Sequence, residues 1–144
     1  MNDANQVEVR AIRGEDLSDA TKVFFESWLG LMKTLGYERR GLDPKRGFKP
    51  THVACVDGVI VGVMSIQGNE LEQLYVSPKY QGLGIGERLL TLALELGVTM
   101  LKVDEGNVGA RRFYDQHGFI NTGIKECGVR FPEHSILIYR LNTG

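Results

Sequence analysis

Little in this sequence could staple a fold from outside its core. Only two cysteines occur, Cys55 and Cys127, far apart and in no CxxC pair. That excludes a disulfide framework and a cysteine-based zinc site, and it fits reduced thiols in a cytoplasmic protein. An excess of charge of one sign is also missing, since 17 Lys and Arg stand against 18 Asp and Glu for a net charge of −1. Such a chain has no global field to hold nucleic acid or an anionic membrane, so neither is expected as a partner. No apolar run approaches the roughly 20 residues that span a bilayer. Met1 to Gln6 is polar, so no secretory signal is expected. His52, His117 and His134 are scattered and make no ligand cluster, so no metal is expected. Proline is scarce, and repeats and low-complexity tracts are absent.

What is present suits one soluble domain over residues 1–144. A chain of this length buries roughly 70% of its unfolded surface, and 42% hydrophobic residues supply a core. Val7 to Ile12 alternates apolar and polar residues and predicts a strand. Glu15 and Asp16 place acids at the start of a helical stretch from Asp16 to Leu35, one helix or two short ones, stopped by Gly36. Tyr37 to Pro50 reads as a loop rich in Arg39, Arg40, Lys45, Arg46 and Lys49, either simply solvated or a basic lip for an anionic ligand. Thr51–Val56, Val59–Gln67 and Leu71–Val76 predict an antiparallel meander, with Asp57-Gly58 as its first tight turn. Ile85, Leu89, Leu92, Ala93 and Leu96 share one helical face. Met100–Val103 predicts a strand and Gly109–His117 a helix. Phe119–Ile124 and Ser135–Leu141 predict the last two strands. Helices alternating with strands after a meander imply an α/β (α+β) fold, a mixed, mostly antiparallel sheet of about seven strands with helices on both faces.

The most informative segment is Gln81-Gly82-Leu83-Gly84-Ile85-Gly86-Glu87-Arg88, between a strand and an amphipathic helix. A helix N-terminus offers orphan N–H donors and a partial positive charge, and glycines let the backbone approach a ligand, which makes an anion cradle. A P-loop would need Lys and Ser/Thr after its last glycine, where Glu87 and Arg88 stand. A dinucleotide fingerprint would need glycine at position 87 or 89, where the chain has Glu87 and Leu89. Both nucleotide readings fail on residues.

Gln81-x-x-Gly84-x-Gly86 resembles motif A of the GNAT superfamily of N-acetyltransferases. Upstream, Leu71 to Pro78 resembles the family's fourth strand and its exit. Downstream, Leu101-Lys102-Val103 resembles the fifth strand. Asn107-x-x-Ala110-x-x-Phe113-Tyr114-x-x-x-Gly118-Phe119 resembles motif B. The resemblance covers Thr51 to Phe119 closely. It implies acetyl-CoA as co-substrate, no metal, and direct attack of a primary amine on the thioester. It also implies that Leu74, Tyr75, Val76, Gln81, Gly82, Leu83, Gly84, Ile85, Gly86, Glu87, Asn107, Phe113 and Tyr114 contact the cofactor.

Acetyl transfer to an amine needs three things: a deprotonated amine, a donor for the developing oxyanion and a proton for the departing thiolate. Tyr114 resembles the family's acid, being protonated at neutral pH. Glu72, on a strand expected to be partly buried, is the candidate base, with Glu70 and a water chain as rivals. The resemblance implies that the backbone N–H at Tyr75 or Val76 serves the oxyanion, where the family's fourth strand bulges and splays from the fifth. It also places the acceptor among Trp28 to Lys49 and Gly123 to His134. There Phe24, Phe25 and Trp28 could line a pocket or be core, and Cys127 would sit in a loop. The acceptor, a small-molecule or peptide amine, stays open, as does a homodimer. An acyl-CoA sensor without turnover is the alternative.

Overall fold

The computed structural model describes residues 6–36, 48–127 and 135–143. Expectations for the basic positions Arg39, Arg40, Lys45 and Arg46, and for residues 128–134, lie outside the described residues. The described chain forms one seven-stranded sheet and three α-helices. The strands are β1 (Val7–Ala11), β2 (His52–Val56), β3 (Val59–Gln67), β4 (Glu70–Val76), β5 (Met100–Asp104), β6 (Phe119–Cys127) and β7 (Ser135–Leu141). The helices are α1 (Leu17–Leu35), α2 (Ile85–Glu95) and α3 (Val108–Gln116). Spatial order is β1-β2-β3-β4-β5-β7-β6, and only β4 and β5 run parallel. This is the mixed, mostly antiparallel sheet that the sequence pattern predicts.

β2 and β3 read as nearly unbroken apolar runs because both of their faces are covered. Successive side chains point to opposite faces, so Val53, Cys55 and Val63 meet Ala20, Val23 and Phe24 of α1. Ala54 and Met64 point the other way, joined by Val61, the extra residue at a register shift between β2 and β3, and meet Ile85, Leu89, Leu90 and Ala93 of α2. Each large aliphatic side chain buried this way contributes roughly 1.5–3 kcal/mol. Gly62 lies at the tightest point, where an added Cβ would stand 3.1 Å from Leu89 Cδ1 and 3.2 Å from Ala54 Cβ.

Asp16 has a different job from the one its position suggests. It precedes α1, yet its side chain makes no cap bond to that helix. It is buried and grips β1 instead. Arg10 Nη1 donates to Oδ2 at 2.6 Å, Arg10 Nη2 to Oδ1 at 3.1 Å, and the Arg13 N–H to Oδ2 at 2.7 Å. A bidentate guanidinium fixes both distance and angle, so the first helix is tied to the edge strand that precedes it.

The ends of the sheet differ from the sequence-based boundaries. Residues Gly14–Asp16 form a 3₁₀ turn before α1. β6 extends to Cys127, which pairs with Ser135 of β7 and is exposed, so Cys127 belongs to a strand and not to a loop. The register of β6 against β7 shifts between Asn121 and Lys125, and Thr122 Oγ1 donates to the Ile138 carbonyl at 2.8 Å across the gap. That side-chain bond replaces a ladder bond, and nothing in a strand pattern announces it.

Two outcomes follow from this packing. The Arg10 hydrogen bond, then the Arg13 N–H, hold the Asp16 carboxyl down at about 2 against its ordinary 3.8. A depressed folded-state value stabilises above the unfolded value, and that stabilisation is lost as pH falls. Asp16→Asn should therefore lower thermal stability at neutral pH and flatten its decline between about pH 4 and pH 2, as read by melting curves across that window. Gly62→Val should cost about 1–3 kcal/mol through overpacking against α2, measured by urea unfolding.

Candidate functional site

The parallel ladder between β4 and β5 is only two pairs long, Glu70 with Met100 and Leu71 with Leu101. Beyond it the strands part. At that point β4 carries one extra residue against β3. Ser65 pairs with Gln73 and Ile66 with Leu71, leaving Glu72 as the bulged residue. A bulge bends its strand and increases local twist, which suits the divergence of β4 from β5. A cleft of about 610 Å³ lies along the open part of β4, between it and helices α2 and α3.

The backbone of β4 shows which groups are free there. Ser77 N–H donates to the Val61 carbonyl at 2.8 Å. In an antiparallel ladder bonded pairs alternate, so Tyr75 and Val63 also form a bonded pair. Leu74 and Val76 turn their N–H and C=O groups toward the open edge. The Val76 carbonyl is occupied there, receiving Gln81 Nε2 at 3.0 Å and Ser27 Oγ at 3.5 Å. The two oxyanion donors suggested by the resemblance are thus distinguished: the Tyr75 N–H is tied into the ladder, and the Val76 N–H faces the opening.

The mouth of the cleft is the start of α2. Gly84 is the N-cap and has no side-chain cap bond. The first helical bond runs from Arg88 N–H to the Gly84 carbonyl, so the N–H groups of Ile85, Gly86 and Glu87 have no partner within the helix. Gly82 and Gly84 both take positive φ, 78° and 82°, a conformation that side chains with a Cβ avoid. Gln81, Gly82, Gly84, Ile85, Gly86 and Glu87 all line the cleft. Leu83 does not, and it is exposed.

The opposite wall is α3. Asn107 caps it, with Oδ1 accepting the Ala110 N–H at 3.3 Å, which leaves the amide Nδ2 with donors to spare. Phe113 lies beside Gly86, where an added Cβ would sit 3.6 Å from the ring. Tyr114 is 8% exposed and packs edge-on to Phe113 and Phe119. Its hydroxyl makes no hydrogen bond among the described residues, and the residue lines the cleft. Burial, then the nearby Tyr75 phenol, push the Tyr114 hydroxyl well above the ordinary 10.0. Burial pushes Tyr75 up to about 12. Both phenols therefore stay protonated far past neutral pH.

Leu74, Val76, Asn107, Phe113 and Tyr114 thus share one cleft with the glycine turn. Tyr75 does not line it. Tyr75 points to the α1 face, edge-on to Phe24 with ring centres 5.5 Å apart. Phe24 is buried and stacks on Phe48 at 4.1 Å, so it is core. Trp28 is half-buried against the same cluster, and Phe25 is exposed. Glu72 is exposed at the bulge, not partly buried, and its carboxylate lies within reach of the Gln67 amide. Neither Glu72 nor Glu70 lines the cleft. Tyr80, Ala110, Gln116 and His117 line it as well. For Ala110 and His117 helical spacing from Tyr114 was the available signal, four residues before it and three after.

The comparisons agree with this geometry. The sequence profile of the Acetyltransferase (GNAT) family matches residues 15–119. An uncharacterized N-acetyltransferase of Archaeoglobus fulgidus is 33% identical, over 75% of this chain and 89% of its own length. The peptidyl-lysine N-acetyltransferase YjaB of Salmonella typhimurium is 40% identical, over 50% of this chain and 52% of its own length. Among solved structures, apo YjaB of Escherichia coli superposes with a TM-score of 0.78 at 23% identity, covering 94% of this chain and 97% of that one. PaiA N-acetyltransferase of Thermoplasma acidophilum, solved with coenzyme A, superposes with a TM-score of 0.61 at 21% identity, over 93% and 98%. With the family profile matching most of the chain, and an uncapped helix start, the Tyr114 phenol and the open edge of β4 meeting in one cleft, this chain belongs to the GNAT family of acetyltransferases.

Proposed function

We propose that this protein transfers the acetyl group of acetyl-CoA to a primary amine by direct attack, with a peptide lysine side chain as the acceptor. The observation that carries this is the meeting of three groups in one cleft: the N–H groups at the start of α2, the Val76 N–H and the Tyr114 hydroxyl. The residues fit the co-substrate. The glycine turn offers positive-φ backbone and unpaired donors at a helix N-terminus, as a pyrophosphate requires. The PaiA relative was solved with coenzyme A. The relative YjaB is named a peptidyl-lysine N-acetyltransferase, and this supports the acceptor class.

Acetyl-CoA brings the activated acetyl thioester; the chain supplies the surroundings. Ile85, Gly86 and Glu87 N–H groups hold the phosphates. Asn107 Nδ2 and the open edge of β4 hold the arm that joins them to the thioester. The Val76 N–H donates to the carbonyl oxygen as negative charge develops on it, where a preformed donor is worth most. Tyr114 Oη keeps its proton through the working pH range and gives it to the departing thiolate. With Glu72 exposed and Glu70 outside the cleft, the amine loses its proton through water.

Tyr114→Phe should lower kcat on the order of 10²-fold while leaving the KM for acetyl-CoA nearly unchanged. Free-thiol release with a lysine peptide panel measures both, and unaltered turnover would remove Tyr114 from the chemistry. Gly84→Val should weaken coenzyme A binding about tenfold or more, because a β-branched residue resists the left-handed backbone. Calorimetric titration reads this, and circular dichroism checks that α2 persists. Glu72→Gln should retain kcat within about twofold; a collapse that deepens at low pH would return the base to Glu72.

A further inference from the structure

We infer that His117 is a phosphate-binding residue of the coenzyme A cleft, charged when the ligand is bound and held ready by the Phe113 carbonyl. This rests on the acetyl-CoA reading above. His117 is the residue after α3 and lines the same cleft as the start of α2. Its Nδ1 lies 2.7 Å from the Phe113 carbonyl oxygen. A carbonyl can only accept, so Nδ1 carries the hydrogen. The tautomer is thereby set, and Nε2 can bear a hydrogen only in the imidazolium form. Nε2 stands 3.6 Å from Glu87 Oε1, and the Phe113 ring stacks at 4.4 Å, tilted, limiting where the imidazole can turn.

Nε2 already faces one anion, Glu87. Glu87 sits in the first turn of α2, beside the unpaired N–H groups that receive phosphate. It is the one carboxylate within 4 Å of His117 among the described residues. β6, which packs against α3, has no titratable side chain before Lys125. The Glu87 carboxylate alone would repel a phosphate from this cradle. An imidazolium between them offsets that repulsion and donates a charge-assisted hydrogen bond of its own. Tyr114, whose hydroxyl makes no hydrogen bond among the described residues, lines the same cleft one helical turn from His117. The helix start and the free phenol thus mark the two ends of a single ligand. The pyrophosphate, at the α2 end, is the group within reach of His117.

The test separates this role from a structural one. His117→Asn keeps a side-chain N–H at the Nδ1 position for the Phe113 carbonyl and removes Nε2. Calorimetric titrations of the whole protein at about pH 7.5 use coenzyme A, dephospho-coenzyme A and pantetheine. Repeating them in buffers of different ionisation enthalpy reads proton uptake. Wild type should take up protons on binding coenzyme A and dephospho-coenzyme A, and not on binding pantetheine. In His117→Asn the uptake should vanish, both phosphate ligands should bind roughly 3–10-fold more weakly, and pantetheine should be unaffected. Uptake that persists in His117→Asn, or an equal loss of pantetheine binding, would overturn the inference. A loss confined to coenzyme A would overturn the assignment to the pyrophosphate. Failure of the wild type to bind coenzyme A at all would instead defeat the acetyl-CoA reading.

Discussion

After two paired residues, β4 and β5 stop bonding to each other, and most of what this protein can do depends on that parting. Two parallel strands held together along their length would bury every backbone donor between them. Here the inserted Glu72 bends β4 while β3 still holds it, and Val76 is left with a polar edge that no strand covers. A ligand arm laid along that edge would complete the sheet as an extra strand does. The opening also lets a side chain from below the sheet, Tyr114, share a space with the β4 backbone.

The two apolar clusters divide the labour around this opening. α2 and α3 cover one face through Leu89, Leu90, Ala93 and Tyr114. α1 covers the other through Ala20, Val23 and Phe24. Because both clusters grip β2 and β3, the central strands are rigid, and the parted ends of β4 and β5 are held open by packing on either side. The Arg10–Asp16 grip ties α1 to the sheet's outer edge, well away from the chemistry. The cleft therefore takes its shape from the core, which carries Ile85 and Tyr114 to its wall.

The electrostatics of the cleft are supplied mostly by the backbone. Among the described residues no Lys or Arg lines it: Arg88 reaches back to the Val7 carbonyl, and Arg111 to Tyr139 and to the Glu105 carbonyl. The proposed anion site is made of N–H groups at an uncapped helix start, which require no deprotonation or rotamer choice. The proton source proposed for the thiolate, Tyr114, is a phenol that burial keeps neutral. Such a site works by placement of fixed dipoles, and this explains why glycine, rather than lysine or arginine, marks it in the sequence.

The sequence by itself determined the strand and helix order, the two-sided core and the glycine turn at the start of α2. Each is a local pattern: apolar runs at β2 and β3, a helical stripe at Leu89 and Ala93, and three glycines around the start of an amphipathic helix. The resemblance to a known family carried the chemistry of Tyr114 further than spacing alone could. Tertiary structure decided the rest. Tyr75 and Val76 are adjacent in sequence, yet the phase of the β3–β4 ladder turns one backbone into the sheet and the other into the cleft. Glu72 lies outside the cleft because a bulge inserts it, and a bulge depends on the partner strand. Asp16 resembles a helix-starting acid until Arg10 comes within reach. His117 comes within reach of Glu87 only where α2 meets α3. All of these depend on contacts between residues distant in sequence, and local propensity contains no information about them.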